Sequence, residues 1–89
     1  MDFYKIQWKR SALKELRKKD RSVIARIIES VESLANNPIP HGSRKIQGTD
    51  HTYRIRVGDY RIVYSVESHI LLIEIIRVGH RKDIYQKFK

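Results

Sequence analysis

The stretch Tyr53-Arg54-Ile55-Arg56-Val57-Gly58-Asp59-Tyr60-Arg61-Ile62-Val63-Tyr64-Ser65-Val66 reads as two short strands joined by a tight turn. Gly58-Asp59 suits a two-residue hairpin loop, because glycine adopts positive φ without penalty and aspartate accepts turn geometry. The turn sets a register. Val57 faces Tyr60, Arg56 faces Arg61, Ile55 faces Ile62, Arg54 faces Val63, and Tyr53 faces Tyr64. Side chains alternate between the faces of a strand. One face therefore carries Tyr53, Ile55, Val57, Tyr60, Ile62 and Tyr64 and is expected to be core. The other carries Arg54, Arg56 and Arg61 and is expected to stay open. Like charges directly opposed across a sheet are destabilising. An anion seated on them would remove that cost, and a nucleic-acid phosphate is the natural candidate.

Composition supports a polyanionic partner. The 89 residues hold 19 Lys and Arg against 10 Asp and Glu, a formal net charge of +9. Such a balance favours RNA, DNA or an acidic protein, without separating a binder from an enzyme. Cysteine is absent, so neither a disulfide framework nor a thiolate metal site can form. No apolar run approaches the length of a membrane span; Ile70-Leu71-Leu72-Ile73 is broken at Glu74. The N-terminus has no apolar signal region, and a cytoplasmic protein of one domain, residues 1–89, is expected.

Around the hairpin, Tyr4, Ile6 and Trp8 alternate with Lys5 and Gln7 and predict a first strand over residues 2–8. A helix is expected from about Ser11, as N-cap, to Lys19, with Ala12, Leu13 and Leu16 as its apolar stripe. Asp20 is the next N-cap. Val23, Ile24, Ile27, Ile28, Val31, Leu34 and Ala35 then recur at helical spacing until Asn36-Asn37-Pro38. Residues 37–51, punctuated by prolines and glycines, read as a loop carrying Arg44 and Lys45. After a turn at 67–69, Ile70 to Val78 is apolar on both faces except at Glu74 and Arg77, which predicts a central strand ended by Gly79. The β-α-α-β-β-β order predicts an α+β fold, with a helical hairpin on a small, mainly antiparallel twisted sheet.

Four groups of residues could carry chemistry. Arg54, Arg56 and Arg61, with Arg81 beyond the last strand, offer planar donor forks matched to phosphate oxygens. Converging on one phosphate, they could stabilise the added charge of a phosphoryl transition state. His80 offers an imidazole, the side chain type suited to proton exchange near neutral pH. Tyr85 either serves the site or packs a terminal helix, with Ile84 and Phe88 as the better packing candidates. The basic residues Lys9, Arg10, Lys14, Arg17, Lys18, Lys19 and Arg21 form either an electrostatic anchor or a solvated face. No metal-ligand spacing, phosphate-binding glycine loop or nucleophile elbow is present, so no cofactor is expected.

With Lys45-Ile46-Gln47-Gly48, the Tyr53–Tyr64 hairpin and Val78-Gly79-His80-Arg81 laid out, nearly the whole chain resembles a toxin of the RelE/ParE superfamily, in the RelE branch. The resemblance implies a type II toxin that enters the ribosomal A site and cleaves mRNA there without a metal. The RNA 2′-OH is the nucleophile, and the products are a 2′,3′-cyclic phosphate and a 5′-OH. A cognate antitoxin blocks it. Carried onto this sequence, Tyr85, or alternatively Arg54, assists deprotonation of the 2′-OH. Arg61 stabilises the phosphate charge. Arg81 donates to the leaving oxygen or binds the phosphate, and Arg56 positions the backbone and lowers the tyrosine pKa. His80 stands where other members have lysine and could act as a further acid or base; Arg44, Lys45, Arg56 and His80 form the expected substrate-binding set. Two other readings are a ParE-type gyrase inhibitor acting by protein binding and a catalytically weak RNA-binding relative.

Overall fold

The computed structural model describes residues 3–80 and 82. Along the chain run β1 (Lys5–Trp8), α1 (Arg10–Arg17), α2 (Arg21–Ser33), β2 (Arg44–Lys45), β3 (Thr52–Val57), β4 (Tyr60–Glu67), a 3-10 turn (Ser68–Ile70) and β5 (Leu72–His80). They form one 5-stranded sheet in the order β1-β5-β4-β3-β2. Among the described residues, only the β1–β5 pair is parallel. The α+β architecture agrees with the expectation. Arg81, Tyr85 and the expected terminal helix lie outside the described residues.

The hairpin register is the one its turn predicts: Val57 pairs with Tyr60, Arg56 with Arg61, Ile55 with Ile62 and Tyr53 with Tyr64. Gly58 sits at φ +62°, the conformation the two-residue turn demands. Ile55, Val57, Ile62, Tyr64, Val66, Ile73, Ile75 and Val78 meet Ala12 and Leu16 of α1 and Ile27, Val31 and Leu34 of α2 and its C-cap in one core. Ile62, Ile73 and Ile75 are wholly buried. Each such side chain contributes about 1.5–3 kcal/mol of burial free energy, so this face is what fixes the register.

Several expectations need correction. Helix α1 begins at Arg10 with Lys9 as N-cap, so Ser11 lies inside the first turn. The cause is tertiary: Lys9 N–H donates to Ile75 O at 3.0 Å, which carries the chain off the sheet before the serine. The helix ends at Arg17, short of Lys19. Asp20 occupies the N-cap of α2, but its side chain makes no capping bond. The loop over 37–51 contains β2, whose two charged residues pair as Arg44 with Arg54 and Lys45 with Tyr53. Strand β5 runs through Gly79 to His80, beyond the expected stop, and lies inside the sheet between β1 and β4 as expected of a central strand.

The mixed faces of β5 also have a specific cause. Val63 pairs with Arg77 while Tyr64 pairs with Ile75, which leaves Ile76 as an extra residue. A bulge of this kind flips the alternation. Ile73 and Ile75 face the core before it and Val78 faces the core after it, which produces apolar residues of both parities.

Tyr64 ties the loop to the sheet. Its hydroxyl donates to Pro38 O at 2.8 Å. Burial pushes its pKa up to about 12, against a smaller lowering from the Ser43 hydroxyl and a smaller rise from Tyr53. The neutral phenol is therefore the form the fold favours. The unfolded tyrosine ionises near pH 10, so the Tyr64 contribution is full below that pH and is lost as pH rises towards 12. Wild type should lose stability relative to Tyr64→Phe by about 1.4 kcal/mol per pH unit in that window, measurable by urea unfolding at pH 9 to 11.5.

Candidate functional site

Strands β2, β3 and β4 bring Arg44, Arg54, Arg56 and Arg61 to one face. Arg44 lies directly opposite Arg54, and Arg56 directly opposite Arg61. Together with Gly42 and Ile55 they line a cleft of about 230 Å³. Every polar side chain in that lining is an arginine. The expectation of a fully open arginine face needs revision: Arg61 is only 8% exposed, and Val63 beside it on the same strand is buried. Arg54 is half-buried, whereas Arg44 and Arg56 are exposed. The cleft thus grades from a partly desolvated floor to a wet rim. A guanidinium keeps its charge in such a place, where an ammonium would tend to lose its proton.

Backbone carbonyls offset part of the repulsion between the paired arginines. Arg56 Nε donates to Gly58 O at 3.1 Å. Arg61 Nη1 donates to Tyr60 O at 3.3 Å and, more weakly, to Gly58 O at 3.5 Å. These bonds hold both guanidinium groups at the hairpin turn. Arginine carries five donors in a planar fork, a geometry matched to phosphate oxygens.

His80 sits beside the cleft and does not line it. It pairs with Tyr60 across β4 and β5, and the rings meet edge to face with centroids 5.8 Å apart. His80 Nδ1 accepts the Lys82 N–H at 3.4 Å. Lys45 is exposed on β2 and is absent from the cleft lining, as strand alternation next to Arg44 requires. The structure therefore gathers Arg44, Arg54, Arg56 and Arg61, sets His80 alongside, and leaves Lys45 apart. Two further cations lie near the turn: Arg26, which no sequence pattern singles out, and Lys19, which the sequence places in the basic group of the first helix. Arg26 of α2 lies against Gly58, and Lys19 Nζ lies 5.4 Å from the centre of the Tyr60 ring. A second cleft, of about 320 Å³, adjoins the first and shares Gly42, Ile55 and Arg56 with it.

The family model described as ParE toxin of type II toxin-antitoxin system, parDE, matches residues 6–85. The chain belongs to this toxin family. A RelE-like toxin protein of Escherichia coli is 32% identical over 92% of this chain and 90% of its own length. The fold is shared with RelE in the RelE–RelB complex from Pyrococcus horikoshii, at a TM-score of 0.80 and 28% identity over 89% of this chain and 96% of that one. The RelB–RelE antitoxin–toxin complex from Methanococcus jannaschii gives a TM-score of 0.74 and 31% identity over 93% of this chain and 99% of that one.

In this RelE/ParE toxin the cleft and the core are two faces of the same hairpin. Ile55 and Ile62 pair towards the helices, and Arg56 and Arg61 pair towards the cleft. Slipping the register by one residue would bury the arginines and expose the isoleucines, so the folding free energy also fixes the site geometry.

Proposed function

We propose that this toxin is an endoribonuclease that cleaves mRNA in the ribosomal A site, with a cognate antitoxin as its inhibitor and the cytoplasm as its place of action. It would work as one domain over residues 1–89. The observation that carries this reading is the all-arginine cleft with the half-buried Arg54 and the buried Arg61 at its floor. A phosphodiester in that cleft meets donor forks whose charge is least screened where it is needed.

In the proposed reaction the 2′-oxygen attacks the adjacent phosphorus, and the bond to the 5′-oxygen of the next nucleotide breaks. The products are a 2′,3′-cyclic phosphate and a 5′-OH. One proton leaves the 2′-OH and one reaches the departing 5′-oxygen. Arg61 and Arg54 balance the charge that builds on the non-bridging oxygens, and Arg56 and Arg44 hold the backbone at the rim. His80, alongside the cleft, would serve as a further acid or base. Tyr85 and Arg81, outside the described residues, are the resemblance-implied base and leaving-group partner. Support for the antitoxin comes from the related complexes, which are RelE bound to RelB.

The ParE description of the matching family favours a second reading, inhibition of DNA gyrase by protein binding. Inducing the toxin while following a DNA-damage reporter and total mRNA separates the two. The nuclease reading expects truncated mRNA and a silent reporter. Intact mRNA with an induced reporter would replace it with the gyrase reading.

A further inference from the structure

The cationic surface does not stop at the cleft. Where a Cβ on Gly58 would project, the Arg26 guanidinium already lies: Nη2 would be 3.1 Å away, Nη1 3.6 Å and Cζ 3.7 Å. Arg56 Nε and Arg61 Nη1 reach the same glycine through its carbonyl oxygen. Guanidinium groups from three elements, α2, β3 and β4, thus meet at one turn. Lys19, just before α2, adds an ammonium beside Tyr60, the residue that closes the turn.

Carboxylates are near in sequence and unused. Glu29 stands three positions along α2 from Arg26, the spacing at which helical ion pairs form. Asp59 follows Gly58 directly. Among the described residues, Arg26 forms no ion pair with either. Its side chain is exposed and instead lies across the turn, next to like charges. A Cβ at position 58 would meet only the flexible tip of the exposed Arg26 side chain, so the positive φ of the turn is what calls for glycine there.

From this we infer that Arg26 and Lys19 form a second phosphate subsite on the far side of the hairpin turn. It holds the RNA backbone next to the phosphate seated in the Arg54–Arg56–Arg61 cleft. The inference rests on the RNA-cleaving reading and adds the direction in which the strand leaves the cleft, across Gly58 and Tyr60 towards α2.

The test is the salt dependence of binding to a short single-stranded 2′-O-methyl RNA, which cannot be cleaved, measured by fluorescence anisotropy on the full chain. For single strands, the slope of log K against log salt falls by about 0.7 for each phosphate contact removed. Arg26→Gln and Lys19→Gln should each flatten the slope by about that amount, and Arg26→Lys should restore it. Glutamine propagates a helix nearly as well as arginine, so α2 persists. Lys5→Gln, on the edge strand β1, removes the same charge away from the turn and should leave the slope unchanged. A wild-type slope in Arg26→Gln, or an equal loss in Lys5→Gln, overturns the subsite. Wild-type protein that binds RNA with no salt dependence overturns the RNA-cleaving reading as well.

Discussion

Replacing Arg61 with alanine should lower the rate of mRNA cleavage about 10²- to 10³-fold, the range seen when one preorganised donor to a developing oxyanion is removed. Several observations make Arg61 the residue of largest effect. It is buried, at 8% exposure, so its field is weakly screened. It is held by Tyr60 O and Gly58 O, so its guanidinium is placed before substrate arrives. It stands directly opposite Arg56, so in the proposed complex the phosphate would meet both forks. Arg61→Lys keeps the charge and loses the fork, and should recover only part of the rate. Single-turnover cleavage of ribosome-bound mRNA is the readout, with far-UV circular dichroism to show that the variant folds. A folded Arg61→Ala protein that cuts at the wild-type rate would remove Arg61 from the chemistry.

The largest effect on stability is expected at Glu15. Strand β1 covers β5 only over Leu72 to Ile75, so among the described residues the later part of β5 has no strand on that side. Glu15 of α1 takes the place of the missing strand. Its Oε1 accepts the Val78 N–H at 2.8 Å, and its Oε2 accepts Arg77 Nη2 at 2.8 Å and Nε at 3.2 Å. One carboxylate thereby caps a bare sheet edge and pairs a half-buried cation. Glu15→Ala leaves both donors without their acceptor and should cost about 2–3 kcal/mol, given their partial burial. For a chain of this size the corresponding fall in Tm is roughly 8–24 °C. A double-mutant cycle with Arg77→Ala should return a coupling of about 1 kcal/mol or more. A cost under about 0.5 kcal/mol would mean that the pair behaves as an ordinary surface contact. Because β5 also carries His80 to Tyr60, loosening the clamp should reduce cleavage as well.

The hairpin was legible from sequence because its signals agree. A Gly-Asp turn, period-two alternation and an apolar face specify one register, and that register is observed. The opposed arginines follow from it. Other features were hidden because they depend on contacts distant in sequence. Lys9 caps α1 because the end of β1 is tied to Ile75, which no local signal reports. Strand β2 has two charged residues and no periodicity; only its pairing with Tyr53 and Arg54 defines it. The bulge at Ile76 made a strand with one core face look buried on both. Arg26 carries no signal in the sequence pattern, and only the packing of α2 near Gly58 brings it to the turn. The extent of desolvation at Arg61 was likewise beyond a pattern that shows which face a residue takes but not what surrounds it.

The central claim, that the arginine cleft holds a scissile mRNA phosphate, is tested most directly by end-group analysis in a reconstituted translation system. Labelled mRNA on ribosomes with an empty A site is incubated with wild type or Arg61→Ala. The account predicts a wild-type cut within the A-site codon that leaves a 2′,3′-cyclic phosphate and a 5′-OH and is lost in Arg61→Ala. Uncut mRNA with wild type, or products bearing a 5′-phosphate, would contradict it.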